Sequence, residues 1–416
     1  MEKFDLGIVG GGPAGYTAAF QACKQGKSVV LFEKDEIGGV CLNKGCIPTK
    51  TILHSAEIFE EMKKASSFGI EAENLSLDFA KVMAHKDEVV EKLRRNLGLA
   101  LKNSGTVLVK EFAEILDAHK ISAGGQIYEC EKIISATGSV PLDLPSIKFV
   151  GKFVLSSDDI LKLKTLPQKI VIIGSGAIGT EWARIFSSFG VEVAVVELAS
   201  CLLPNADFEV SKRLERIFKS KKIKFYTSTS VEKVEIVENS SIDAYLSNGE
   251  KINADFILLA AGRRPVNSEK IDGVSYIGDE AGEIQLAHFA IRQALRETAQ
   301  ISYNRNLIPS VIYGCPEIAW VGLREQDLEE GSFQKALYPI SALGKSHCDN
   351  CIEGFVKILS REGKILGAHI VSKEASALIQ QLAIAIQNEI PIEKLKEVCF
   401  SHPTYSEGIF ESLLNL

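Results

Sequence analysis

The sequence predicts an α/β protein with two doubly wound units followed by a smaller α+β unit. Three observations predict it. A strand, a glycine turn, a helix, a second strand and a terminal acid occur in that order twice. In both copies the acid lies 23 positions after the first glycine. From about Ser310 the texture changes to runs that alternate apolar and polar residues, the pattern of antiparallel strands with one solvated face.

The first copy opens on the apolar run Leu6–Val9, read as a buried strand. Gly10-Gly11-Gly12-Pro13-Ala14-Gly15 follows, then a helix pattern from Tyr16 to Gln25 and a strand, Ser28–Phe32, ending in Glu33. The second copy is Lys169–Ile173, Gly174-Ser175-Gly176-Ala177-Ile178-Gly179, a helix, and Val191–Val196 ending in Glu197. The first glycine of each (Gly10, Gly174) allows a tight turn, and the second (Gly12, Gly176) lets backbone approach a pyrophosphate. The third (Gly15, Gly179) lets the helix pack close to the strand, so its N-terminal amides point at the phosphates. Glu33 and Glu197 stand where a carboxylate accepts hydrogen bonds from ribose hydroxyls. Both units therefore read as Rossmann-like, and two bound dinucleotides are implied. Glu197, followed by Leu198-Ala199-Ser200 with no arginine, favours a ribose 2′-hydroxyl over a 2′-phosphate, hence NAD over NADPH.

Beyond the second copy, Tyr245–Gly249 and Asp255–Ala261 read as short strands that close the unit at Gly262-Arg263-Arg264-Pro265. Phe355–Ser360 and Lys364–Val371 alternate around Arg361-Glu362-Gly363 as a hairpin. Glu374–Asn388 reads as an amphipathic helix stopped by Pro391.

Composition narrows the function. A chain of 416 residues, 46% hydrophobic and 24% charged, can bury several cores of ordinary globular character. Its net charge of -7 argues against a nucleic-acid partner, whose phosphates need a basic surface. No signal-peptide pattern precedes the first strand and no apolar stretch is long enough to span a bilayer, so no membrane association is expected. Nine scattered cysteines do not resemble a secreted disulfide framework, and the cytoplasm is the expected compartment.

Cys41 and Cys46 follow shortly after Glu33, within Gly38–Lys50. On a regular helix, residues five apart have Cα atoms about 8–9 Å from each other, beyond the roughly 7 Å that a disulfide tolerates. A bond between them needs local distortion, for which Gly45 offers a place. Two buried cysteines acting as small hydrophobes are the alternative. A metal site needs further ligands that His54 alone does not supply.

The segment resembles the redox-disulfide motif of the flavin disulfide reductases, and Cys-Leu-Asn-x-Gly-Cys-Ile-Pro-Thr-Lys is most similar to their dihydrolipoamide dehydrogenase branch. The resemblance runs over nearly the whole chain. It includes Ala136-Thr137-Gly138-Ser139, Gly174–Glu181, Ala261–Pro265 and Tyr276-Ile277-Gly278-Asp279. Leu286-Ala287-His288, Pro316–Ala319 and His402–Glu407 extend it to the end. It implies an FAD-binding domain beginning at 1–141, an NAD-binding domain at 142–265, a return to the FAD domain at 266–308 and a dimerisation domain at 309–416. It also implies a homodimer, with FAD and NAD as cofactors and no metal.

On the same resemblance, Thr137, Gly138, Gly262, Gly278 and Ala287 belong to the cofactor sites. Asp279 holds the ribityl chain, which suits a carboxylate facing a polyol. Lys50 and Glu181 pair beside the flavin, where a cation favours the reduced ring. His402, reaching across the dimer interface and oriented by Glu407, is the acid–base, since an imidazole titrates near working pH. A cis Pro403 would help the two meet. The implied reaction is oxidation of dihydrolipoamide on the lipoyl domain of a 2-oxoacid dehydrogenase or glycine-cleavage type complex. The dithiol attacks at Cys41, and electrons leave through Cys46 and FAD for NAD⁺.

Two features depart from the family pattern. Only Val266–Ile277 separates Pro265 from Gly278, a shortened return that touches stability, FAD retention or the NAD-side surface. His347-Cys348-Asp349-Asn350-Cys351 carries a Cys-x-x-Cys with no second pair, read as a loop with incidental thiols rather than a zinc site. A glutathione- or mercury-type reductase is the rival enzyme. Glu197 opposes NADPH use, and the tail Phe410–Leu416 lacks the cysteine pair of a mercury enzyme. A non-catalytic assembly subunit is the other rival, although it would need none of Cys41, Cys46, His402 and Glu407.

Overall fold

The computed structural model describes residues 2–149, 151–238, 240–266 and 269–416. The first unit begins with β1 (Glu2–Val9), α1 (Pro13–Lys24) and β2 (Val29–Phe32). α1 starts earlier than its apolar pattern because Pro13 sits in its first turn, where a missing N–H costs nothing and the fixed φ suits a helix. α2 (Gly39–Lys44), α3 (Cys46–Lys63) and α4 (Phe79–Asn103) follow. Then come β3 (Val107–Val109), β4 (Ala113–Asp117), β5 (Lys120–Ala123), β6 (Gln126–Ser135) and β7 (Ser139–Pro141). The sheet order is β3-β2-β1-β6-β5-β4, parallel through β1 and antiparallel beyond β6.

The second unit runs through β8 (Val154–Leu155), β9 (Lys169–Ile173), α5 (Ala177–Ser188), β10 (Glu192–Val196), α6 (Phe208–Ser220) and β11 (Lys224–Tyr226). Its sheet has the order β11-β10-β9-β15-β8, all parallel, where β15 is Phe256–Leu259. An antiparallel meander of β12 (Val231–Val237), β13 (Ser241–Leu246) and β14 (Lys251–Ala254) packs against it. The strand expected to reach Gly249 stops at Leu246, because Gly249 takes φ +87° in the turn. β16 (Arg263–Pro265) pairs with β7, and the chain returns as β17 (Val274–Tyr276), parallel to the C-terminal half of β6. Positions 267 and 268 of the shortened return lie outside the described residues. The return still delivers its strand to the first sheet, followed by α7 (Ala287–Ala299), which packs on α1.

The C-terminal unit contains β18 (Ser310–Ile312), β19 (Glu317–Gly322), β20 (Gln334–Pro339), α8 (Gly344–Cys348), β21 (Phe355–Arg361) and β22 (Lys364–Ser372). α9 (Ala375–Gln387), α10 (Ile392–Lys396) and α11 (Glu407–Leu414) complete it. Its antiparallel order is β18-β19-β22-β21-β20, with α9 and α11 covering an apolar core. Two Rossmann-like units and an α+β unit are thus present, as expected. A buried ionic network joins the last two. The Lys357 ammonium lies 2.6 Å from both Asp207 Oδ1 and Glu325 Oε2, and Asp207 caps α6. Among the described residues no helix is long and apolar enough to cross a membrane.

Candidate functional site

Each glycine turn is built as its sequence demands. Gly10 and Gly174 take φ +104° and +99°, and a Cβ there would lie 2.3 Å from the Ala136 carbonyl oxygen or 2.6 Å from that of Ala260. At Gly15 and Gly179 an added Cβ would fall 1.8 and 1.9 Å from the carbonyl oxygens of Gly10 and Gly174. The middle glycines are different. A Cβ on Gly12 meets nothing nearer than Gly39 Cα at 3.7 Å, and on Gly176 nothing within 4 Å. Bareness there serves no protein contact and fits approach by a phosphate.

The two acids repeat one another in detail. Glu33 accepts hydrogen bonds from the N–H groups of Gly11 and Asp35, both at 2.8 Å. Glu197 accepts from the N–H groups of Ser175 and Ala199, also at 2.8 Å, and from the Ser175 hydroxyl. Each carboxylate thereby clips the glycine loop to the end of the neighbouring strand.

A single cleft of about 1890 Å³ joins Glu33, Gly10, Gly12, Thr137, Gly138, Asp279 and Ala287 to Cys41, Cys46, Lys50 and Glu181. That exceeds an ordinary small-molecule pocket and suits an extended dinucleotide. Two buried polar atoms lining it, Thr137 Oγ1 and Asn43 Oδ1, have no hydrogen-bond partner in the protein. Such orphans are costly unless a ligand pairs with them, so the residues present fit FAD. Gly174, Gly176, Gly179, Glu197 and Gly262 are not among the residues lining this cleft. The second turn touches the cleft only through Ala177 and Ile178, so its glycines and Glu197 lie beyond the cleft wall.

The cysteines stand at the distortion that helix geometry required. α2 ends at Lys44 and α3 starts at Cys46, with Gly45 between them at φ -146°, ψ -108°. Both cysteines are thiols here. Hydrogen bonding from Cys41 and the Lys50 ammonium hold the Cys46 thiol down at about 7 against the effect of burial, while Cys41 is pushed up by the same shared hydrogen bond and by burial. The pair is therefore asymmetric, with thiolate character on Cys46. Lys50 Nζ donates to both oxygens of Glu181, at 2.8 and 2.7 Å. Glu181 is only 3% exposed and also accepts from the Tyr313 N–H at 3.1 Å. The two form an ion pair whose acid is buried and whose ammonium is partly exposed.

Asp279 accepts from the Ser139 hydroxyl at 2.6 Å and faces the cleft. Its neighbour Glu280, which reads in the sequence only as part of an acidic pair, is buried and does structural work. It accepts from the Ser135 hydroxyl and, at 2.7 Å, from the Thr137 N–H, fixing the loop that carries the orphaned Thr137 hydroxyl. Arg263, too, has no local mark in the sequence. It clamps Ser139 through that residue's hydroxyl and carbonyl, at 2.9 and 2.8 Å.

His402 Nδ1 lies 2.8 Å from Glu407 Oε1, and Glu407 Oε2 accepts from the Thr404 N–H at 2.9 Å. The His402–Pro403 bond is cis. Neither His402 nor Glu407 lines the cleft that holds Cys41 and Cys46, and the His402 side chain is 75% exposed. One chain thus presents the imidazole outward and the cysteines elsewhere. In the Cys-x-x-Cys, Cys348 ends a short helix rather than lying in a loop, and the Cys351 sulfur lies 3.8 Å from that of Cys315. Among the described residues no cluster of three or more His, Cys, Asp or Glu is arranged to hold a metal.

Residues 4–289 match the family model described as pyridine nucleotide-disulphide oxidoreductase, and residues 308–413 match its dimerisation domain. A dihydrolipoyl dehydrogenase of Bacillus subtilis is 33% identical over 99% of the chain and 98% of its own length. The mitochondrial dihydrolipoyl dehydrogenase of Pisum sativum is 32% identical over 99% of the chain and 91% of its own length. The first of these alignments spans 448 residues, more than the 416 present here, so that relative carries residues this chain lacks. Among solved structures, LpdA from Mycobacterium tuberculosis superposes with a TM-score of 0.92 at 24% identity, covering 100% of this chain and 99% of that one. The HOCl-induced flavoprotein disulfide reductase RclA from Escherichia coli gives 0.88 at 24% identity, covering 99% of each chain. Both show the same fold.

Proposed function

Because the chain belongs to the pyridine nucleotide-disulphide oxidoreductase family, whose cofactors are FAD and NAD, we propose that it oxidises protein-bound dihydrolipoamide with NAD⁺ as final acceptor. The observation that carries this reading is the single cleft in which Cys41 and Cys46, split by the break at Gly45, share walls with the first glycine turn and the Lys50–Glu181 pair. FAD would lie along Gly10–Gly15, Glu33, Thr137, Gly138 and Asp279. NAD would use Gly174–Gly179 and Glu197, with Gly262 at its margin. The division at 141, 265 and 308 follows from these assignments.

One sulfur of the substrate dithiol attacks Cys41 of the Cys41–Cys46 disulfide, and its proton passes to His402. Cys46 leaves as a thiolate, stabilised by Lys50 and by hydrogen bonding to Cys41. The second substrate sulfur then displaces Cys41 from the mixed disulfide, so two electrons and the substrate's protons end on the protein. Bound FAD supplies the two-electron acceptor that links this dithiol to NAD⁺. Glu407 holds the imidazole by its Nδ1 side and leaves Nε2 to face the sulfurs. Since His402 is exposed and does not line its own cleft, the site is completed by His402 of a second copy, in keeping with the family dimerisation domain at 308–413.

The proposed partner is the lipoyl domain of a 2-oxoacid dehydrogenase or glycine-cleavage type complex, and the proposed setting is the cytoplasm, where thiols stay reduced. The test is turnover of FAD-loaded protein with a reduced lipoyl domain and NAD⁺, beside glutathione disulfide and NADPH. NADH formation from the lipoyl domain with no turnover of glutathione disulfide supports the reading. The reverse pattern overturns it.

A further inference from the structure

Cys315 lies between β18 and β19, and Cys351 between α8 and β21, yet their sulfurs are 3.8 Å apart. We propose that Cys315 and Cys351 are a second redox-active dithiol, oxidised reversibly to a disulfide by low-molecular-weight disulfides and separate from Cys41–Cys46.

Geometry comes first. A disulfide needs its sulfurs at about 2.05 Å, so the pair must close by about 1.8 Å, and both cysteines sit in connections rather than inside a helix or strand. Cys315 is exposed and Cys351 half-buried, so a small oxidant can reach the pair.

Electrostatics agree. Behind Cys315 lies Arg184, 2% exposed, whose Nη1 donates to the Pro316 carbonyl at 2.6 Å and the Tyr313 carbonyl at 3.4 Å. Its Nε and Nη2 have no partner. This buried cation presses on the turn at Gly314, where a Cβ would fall 2.3 Å from Nη1. Hydrogen bonding from Cys351, with Lys221 and Arg184 nearby, holds the Cys315 thiol down at about 7, against the protein that desolvates one side of this exposed residue's sulfur and against Glu57. Cys315 is thereby the nucleophile and Cys351 the resolving thiol.

The chemistry balances. The Cys315 thiolate attacks one sulfur of RSSR, forming Cys315–S–S–R and releasing RS⁻. The Cys351 sulfur, losing its proton to that RS⁻, displaces the second RS⁻, which takes up the proton left by Cys315. Two thiols and one RSSR become one protein disulfide and two RSH. The bridge ties the segment after α8 to the turn carrying Tyr313, whose ring lies 4.7 Å from Lys50 Nζ. Tyr313, two positions before Cys315, also donates its N–H to Glu181 at 3.1 Å, so the second site abuts the Lys50–Glu181 pair.

The test uses FAD-loaded Cys41→Ser/Cys46→Ser protein, so that only other thiols report. It is equilibrated with oxidised glutathione, alkylated, digested with trypsin and mapped by mass spectrometry. The expected result is loss of two alkylatable thiols and a linked peptide pair containing residues 315 and 351, both reversed by reductant. The peptide with Cys351 also carries Cys348, so Cys348→Ser must keep the link while Cys351→Ser loses it. Full alkylation of Cys315 and Cys351 after this treatment overturns the proposal. So does a Cys348–Cys351 link, or glutathione attached to Cys315 without closure.

Discussion

Replacing Glu407 by Gln changes one atom and separates the orientation of His402 from its presence. Glu407 uses one oxygen for His402 Nδ1–H at 2.8 Å and the other for the Thr404 N–H at 2.9 Å. A glutamine offers one acceptor oxygen to these two donors, so with the oxygen on Thr404 the imidazole either loses its bond or changes tautomer to accept at Nδ1, which puts the proton on Nε2 and removes the base. Backbone geometry fixes Thr404, and the freely exposed imidazole is the group that gives way. A hydrogen bond to a charged group contributes about 1.5–3 kcal/mol. With His402 75% exposed, the loss falls near the lower end, or roughly tenfold in the rate of thiol exchange. The assay is anaerobic stopped-flow reduction of the FAD-loaded enzyme by dihydrolipoamide, with FAD content measured in parallel. A rate equal to wild type, or a loss that tracks loss of FAD, would refute the reasoning. The pH dependence follows in sign. Hydrogen bonds from His402 and the Thr404 N–H hold the Glu407 carboxyl below its ordinary range. Its stabilising contribution is fully present above the unfolded carboxyl value and is lost as pH falls through the lowered folded value. Thiol exchange therefore keeps its Glu407 dependence throughout the neutral range.

Gly12→Val should fold, since a Cβ there meets only Gly39 Cα at 3.7 Å, but should lose FAD, whereas Gly10→Val should also lower the melting temperature; absorbance and thermal scans separate the two. Glu197→Arg with a second basic change should narrow or reverse a wild-type preference for NADH, read as kcat/KM for both nucleotides; equal wild-type values would count against the assignment. Lys357→Met leaves the fully buried Asp207 carboxylate without its ammonium, at a cost of about 3–5 kcal/mol in denaturant unfolding. A change under about 1 kcal/mol would show that the network carries no such load.

Legibility in the sequence followed the range of the interaction. Lys169–Ile173 coincides with β9 because a continuous apolar run between a polar start and a glycine has one register. The break at Gly45 was readable because helix geometry alone forbids a bond across five residues. His402 and Glu407, five positions apart, carry their pairing in a local motif. The β5–β6 hairpin turns at Gly124-Gly125, φ +56° and +77°, but β5 is only four residues long, too short for a pattern to show. Glu280 and Arg263 act on Ser135, Thr137 and Ser139, more than 120 positions away, and nothing local marks them. The Cys315–Cys351 approach joins residues 36 apart through the packing of two connections, which periodicity does not encode.

The central claim is that Cys41 and Cys46 form a redox pair with unequal roles beside the flavin. Its most direct measurement is the visible spectrum of FAD-loaded protein during two-electron reduction. Wild type should gain a long-wavelength band from a Cys46 thiolate against oxidised flavin. Cys41→Ser should show that band and no dithiol turnover, and Cys46→Ser should show neither. A band that survives Cys46→Ser, or lipoamide turnover unchanged in both variants, would contradict the account.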